Sequence, residues 1–370
     1  MDLLRLFSML AIVFYHMLIT LCNFGARQAE SVRIFYENAN AHIATTGVGI
    51  FFMLSGAGLM LSTSKGDFHV LSFWKSRAVK ILVPYYLVNL FYLFFQFLVL
   101  MKEGGDPGLL WPKSLSVPRA VLMILGVDTY AHFFLGAENY AKVLGDSTWM
   151  FSGIGEWFLG CLILMYLVFP LLRIAVKKKP HLTIVISTVY LAVMLFFYEK
   201  IFAFSAVAEF PYVNFFVKVY DFILGMYLAT VSDKIPKWSA IPSAVVTVAF
   251  LISPIAFPLN YTVLILILNL SIYLIALAAE PLFEKIPRVM NGVSFLCRYS
   301  YYFFLIHHVV IIHTTINWIK RCNEKGIPLS NSYIPVIFAE EMLITALFSA
   351  GLAYLLSLPK KFKEKNKKKC

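Results

Sequence analysis

An all-α, polytopic membrane fold is predicted by three features of this sequence. The 370 residues are 60% hydrophobic and 14% charged with a mean hydropathy of +0.77, outside the range of water-soluble domains of that size. Apolar stretches of about 17–25 residues, long enough for a helix to cross a bilayer, recur between clusters of charge, proline or glycine. These stretches are apolar almost all round, as in Phe91 to Leu100 and Tyr261 to Ala279, and lack the alternation of a membrane β-barrel.

Ten spans follow in order, near 3–22, 43–62, 81–101, 151–174, 182–198, 212–231, 240–257, 261–279, 292–316 and 334–357. Lys and Arg gather after every second one, as the positive-inside rule requires. Lys65, Lys75, Arg77 and Lys80 follow span two; Arg173 and Lys177 to Lys179 follow span four; Lys234 and Lys237 follow span six; Lys285 and Arg288 follow span eight. Both termini are therefore expected on the cytoplasmic side, with loops 23–42, 102–150, 199–211 and 317–333 facing outward. Within the longest of these, Pro118 to Val127 is too short to span and reads as a re-entrant or interfacial helix over the outer mouth.

There is no internal repeat and no shift of composition, so residues 1–358 read as one transmembrane domain. Residues 359–370 read as a disordered cationic cytoplasmic tail held near anionic lipid head groups. The net charge of +12 lies mostly at helix ends of one side, which makes membrane lipid and not nucleic acid the expected charged partner. Cys22, Cys161, Cys297, Cys322 and Cys370 show no CxxC or metal-binding spacing and read as structural thiols. Cys370 is not in a CaaX box, and span one lacks a small-residue cleavage site and reads as retained. Walker A, dinucleotide-binding and HExxH patterns are missing. His307 and His308 diverge by about 100° on a helix and form a poor chelating pair on their own, so no metal is expected.

Ionisable residues inside an apolar run need a reason, since a charge there costs roughly 2.5–3.5 kcal/mol on insertion scales. His16 is such a residue. Arg5 lies eleven positions earlier, close to three turns, on the same side of the helix and about 16 Å away along its axis; Asp2 can pair with Arg5 at three residues' spacing. Each is also explicable as an interfacial pair and a helix-contact histidine. Gly47, Gly49, Ser55, Gly56 and Gly58 read as a bare face of span two, suited to close helix packing or to backbone approach to a ligand. Phe73 to Tyr86 is a basic amphipathic lead in which Arg77 and Lys80 share a face, suited to a bound phosphate or to snorkelling towards lipid. His307 in span nine, Asp221 in span six, and Glu156 with Trp157 at the outer start of span four complete the set. Asp221 is a candidate counter-charge for Arg5, and Trp157 is explained equally by an interfacial aromatic belt.

In these motifs the sequence resembles acyltransferase family 3, membrane enzymes that O-acylate cell-surface sugars. The likeness rests on Asp2 to Arg5 with Tyr15-His16; Gly47-Val48, Phe51-Phe52 and Leu54-Ser55-Gly56; Arg77, Lys80 and Ile81 with Pro84; Trp157, Tyr166 and Pro170; Phe222 to Met226; and Ser300 to His307. The order of these points matches the family along nearly the whole chain. The resemblance implies an acyl-coenzyme A donor on the cytoplasmic side bound near Arg77, Lys80, Ser55 and Gly56, no permanently bound cofactor, and the first-helix histidine as a catalytic residue. The second arginine of the family's basic element is here Lys80, which lacks the bidentate fork; the acid common before Phe-Phe is Gly49.

The expected function is a multi-pass cell-membrane O-acyltransferase, in its simplest form an O-acetyltransferase, acting on a hydroxyl of an envelope polysaccharide or lipid-linked sugar. His16 is the expected general base, aided by Arg5 and Asp2, because a neutral imidazole with a reference pKa of about 6.5 suits that task. Glu156, Trp157, His307 and Asp221 are expected around the acceptor. The competing reading is a non-enzymatic carrier, a lipid-linked sugar flippase or small-solute transporter, which also needs buried His, Arg and Asp.

Overall fold

In the computed structural model, residues 1–24, 32–33, 40–64, 66–110, 116–144, 156–253, 255–283, 285–326 and 331–367 are described. Eight helices among them are long and apolar enough to cross a membrane: α1 (Asp2–Asn23), α2 (Ile43–Ser62), α3 (Val70–Glu103), α7 (Glu156–Lys178), α9 (Phe215–Val231), α11 (Tyr261–Phe283), α13 (Ser300–Glu324) and α14 (Ile334–Lys367). Two shorter apolar helices, α8 (Pro180–Phe196) and α10 (Ala240–Ile252), coincide with spans five and seven. The described helices and the absence of strands among them make this an all-α polytopic membrane protein.

Four boundaries depart from expectation. Helix α3 begins at Val70, so the basic lead is the continuous first part of the helix and not a separate approach to it. Helix α10 ends at Ile252, because Ser253 turns extended at ψ 125°, as the residue before a proline tends to do. Span nine is two helices, α12 (Pro287–Cys297) and α13, which keeps the charge of Arg298 at a break instead of inside one hydrocarbon-crossing rod. The tail expected to be disordered is helical to Lys367, in keeping with its lysine-rich composition, since lysine is a good helix former; residues 368–370 lie outside the described residues.

Helix α2 is the centre of the bundle and touches a different neighbour on each side. A Cβ on Gly56 would lie 2.1 Å from the Phe222 carbonyl oxygen of α9, and one on Gly225 of α9 would lie 1.9 Å from that of Met53. Both positions therefore need glycine for a backbone-to-backbone approach. Gly47 faces α1 at Ser8 and Ala11, and Gly58 has open space before it. The bare face expected along α2 thus divides in two: Gly49 and Gly56 form packing seams on one side, while Gly58 and Ser55 point to a cavity on the other.

The long loop dips into the bundle through three short helices, α4 (Val117–Ile124), α5 (Asp128–Leu135) and α6 (Ala137–Leu144). Gly126, between α4 and α5, sits against Leu82 of α3 and Ile163 of α7, so this segment is re-entrant and does not lie flat over the mouth. Arg119 is buried, with Asp128 3.8 Å away and its guanidinium carbon 5.6 Å from the Tyr140 ring centre. Tyr140 donates to Asp128 as well, so the cation that folds inward with α4 meets an anion and an aromatic face.

Replacing Gly225 by alanine should force α2 and α9 apart and lower the thermal midpoint of the detergent-solubilised protein, an overpacking loss of about 1–3 kcal/mol. Gly351→Ala, where a Cβ meets nothing within 4 Å, should leave the midpoint unchanged in the same melt.

Candidate active site

A cavity of about 740 Å³ opens between α1, α2, α3, α7 and α13. Arg5, Arg77, Lys80 and Arg298 line it at one end; His16 and Trp157 line it about three helical turns further on. Arg5 and His16 share it because eleven residues of α1 bring both to one side, with Ile12 between them. Proline has no N–H to donate, so Pro84 leaves a gap in the α3 hydrogen-bond ladder where α3 forms the cavity wall. Tyr301, also a wall residue, donates to the Ile81 carbonyl at 2.8 Å.

At the basic end, Arg5 Nη1 donates to Asp2 Oδ1 at 2.8 Å. Asp2 is held in turn by Ser294 Oγ, which donates to Oδ2 at 2.6 Å. Asp2 is therefore a positioning residue for Arg5. The guanidinium carbon of Arg77 lies 5.6 Å from the Phe73 ring centre and 5.8 Å from that of Tyr166, so two aromatic faces hold it by cation–π attraction. Beside Arg77, Ser55 Oγ and Tyr166 Oη are 3.0 Å apart and both line the cavity, placing two hydroxyls near any ligand held at the basic end.

His16 sits in a group of three imidazoles. Its ring centre is 4.1 Å from that of His308 and 5.5 Å from that of His307, and the latter two are 4.4 Å apart. The nitrogen ligand atoms of all three lie within 4.8 Å of one another. His307 Nδ1 donates to the Phe304 carbonyl at 2.5 Å; a carbonyl only accepts, so Nδ1 carries the proton and Nε2 the lone pair. To the adjacent His307 and His308 a third ring is added from α1. His308 was not singled out by its sequence context; its one signal was adjacency to His307.

Two of the expected site residues are placed elsewhere. Gly56 packs against Phe222 and does not line the cavity. Asp221 does not face Arg5: it accepts from Lys218 Nζ at 2.8 Å and from Asn269 Nδ2 at 3.0 Å, with Lys218 1% and Asp221 0% exposed. Arg5 has Asp2 instead, because both lie at the start of α1 while Asp221 is in the middle of α9. The Asn269 amide occupies the space in front of Gly49, 2.0 Å from where a Cβ would stand, and donates to Asp221. Glu156 begins α7, but its side chain lies outside the described part. Trp157 lines the cavity and stacks with Phe133 of α5 at 6.2 Å.

Lys218 lay three residues before Asp221 in an apolar run and was readable as its partner. Arg298 was hidden by the merger of two helices into one span.

Removing one partner of a buried ion pair leaves the other charge uncompensated, at about 3–5 kcal/mol. Lys218→Met should therefore lower the thermal midpoint sharply, and Lys218→Met with Asp221→Leu should recover most of it. A double variant as unstable as the single one would show that the pair is not what holds this region.

The family model for the acyltransferase domain matches residues 1–358. No curated protein and no solved structure matches the chain. A match over nearly the entire length, on an all-α membrane bundle whose first-helix histidine and basic residues share one cavity, carries the assignment: the chain belongs to acyltransferase family 3 and is a multi-pass membrane acyltransferase.

Proposed function

We propose that the protein transfers an acyl group, in the simplest case acetyl, from cytoplasmic acyl-coenzyme A to a hydroxyl of an envelope polysaccharide or lipid-linked sugar on the outer side of the cell membrane. The observation that carries this reading is the single cavity joining Arg5, Arg77, Lys80 and Arg298 to His16 and Trp157. Its volume is in the range of small-molecule sites, enough for the pantetheine arm with the nucleotide phosphates left at the cationic mouth. Arg77, fixed between Phe73 and Tyr166, and Lys80 and Arg298 are the phosphate contacts.

His16 takes the proton of the acceptor hydroxyl as its oxygen attacks the thioester carbonyl. The carbon–oxygen bond forms and the carbonyl oxygen gains the negative charge. As the carbon–sulfur bond breaks, the proton on His16 passes to the departing thiolate, so the step consumes no net proton. Trp157 supplies a ring face for the acceptor sugar. A carrier would need none of this thioester chemistry.

With purified protein in nanodiscs, labelled acetyl-coenzyme A and a glycan acceptor, His16→Ala should lower turnover by about 10²–10⁴ while the protein remains folded. Arg77→Ala should raise KM for the donor far more than it lowers kcat. Undiminished transfer in the His16 variant would overturn the mechanism. Mass spectrometry of envelope glycans from cells with and without the protein should differ by one acyl group per modified sugar.

A further inference from the structure

We propose that His16, His307 and His308 bind a transition-metal ion of the imidazole-preferring class, with zinc(II) as its representative, and that occupancy switches acyl transfer off. Three imidazoles from two helices bring their ligand nitrogens within 4.8 Å of one another. A tetrahedral zinc with bonds of about 2.0–2.1 Å draws such nitrogens somewhat closer, a change that small rotations of the rings supply.

The rings stand on a firm base. Helices α1 and α13 pack through Met9, Val13, Met17, Phe303 and Ile311, so the two halves of the site are held in register. The Phe304 carbonyl that accepts from His307 Nδ1 is the outer partner metal-bound histidines characteristically have; it fixes the ring and leaves Nε2 as the ligand atom. The set contains no carboxylate, which disfavours calcium and magnesium and favours zinc or copper. His16 lines the cavity, so the fourth coordination position opens towards it and has room for water or an anion.

The regulatory consequence rests on the proposed role of His16 as base, whereas binding itself does not. A nitrogen lone pair shared with a metal cannot take a proton, and a metal at this point also stands where the acceptor hydroxyl must arrive. The site is therefore inhibitory and not catalytic.

The test uses full-length, tag-free, chelator-stripped protein in detergent, dialysed to equilibrium against zinc and assayed by metal mass spectrometry. One zinc per chain is expected, with stoichiometric binding lost in His16→Gln, His307→Gln and His308→Gln and kept in His181→Gln, a histidine on α8. Each variant is checked for a monodisperse gel-filtration peak. Cobalt(II) provides a second readout: intense visible bands of a tetrahedral site should appear in the parent protein and vanish in His308→Gln. No stoichiometric zinc, or zinc retained when any of the three is replaced, overturns the site. Zinc bound at one per chain should abolish transfer; bound zinc with unimpaired transfer would overturn the inhibitory claim and the base role of His16 together, while leaving the binding site in place.

Discussion

Helices α2 and α9 approach until backbone meets backbone, at Gly56 against Phe222 and Gly225 against Met53, and the remaining architecture follows from that seam. Lipid tails are as apolar as leucine, so helices in a bilayer gain from close van der Waals contact more than from burial. Committing one side of α2 to such contact leaves its other side, with Ser55 and Gly58, to face a cavity. The same seam brings Gly49 beside Asn269, whose amide then reaches Asp221. Packing and polar pairing are thus joined: the glycine that lets Asn269 approach also lets its amide donate to the Asp221 carboxylate that Lys218 neutralises from the same helix.

Polar groups within the spans divide into two kinds. Lys218, Asp221 and Asn269 bond to one another and are closed off, with Asn269 Oδ1 left over; Glu341 accepts from Thr315 at 3.3 Å in the contact between α13 and α14. These groups hold helices together and have no route to a ligand. Arg5, His16, Arg77 and Arg298 share a wall with empty space. An intramembrane ionisable residue is a functional candidate by default, and here accessibility separates the chemical ones from the structural ones more sharply than residue type does.

Much of the fold was legible in residue order. Hydropathy placed helices at all the expected spans, and the eleven-residue spacing of Arg5 and His16 put both in one cavity because a helix repeats nearly the same angle after three turns. Less legible were features set by contacts between distant segments. The turn at Arg298 lacks a proline or glycine, so an apolar run read through it. The glycines of α2 looked like one face, although steps of two and seven residues put Gly47 with Gly58 and Gly49 with Gly56, nearly opposite. Asp221 was assigned to Arg5 because a buried acid wants a cation, when the nearer cation was one turn away on its own helix. The histidine cluster was invisible from either helix alone, since His307 and His308 gain their meaning only when α1 brings His16 beside them.

The central claim is that His16 is reached by the donor from the face carrying the basic helix ends and by the acceptor from the opposite face. Acyl transfer by protein reconstituted in one orientation in sealed vesicles tests it most directly, with acyl-coenzyme A confined to one compartment and the glycan acceptor to the other. Product should form when the donor is on the face of Arg77 and Arg298 and the acceptor on the other, and should fall to background when the two are exchanged. Equal rates in both arrangements, or transfer that requires both substrates on the same face, would contradict the account.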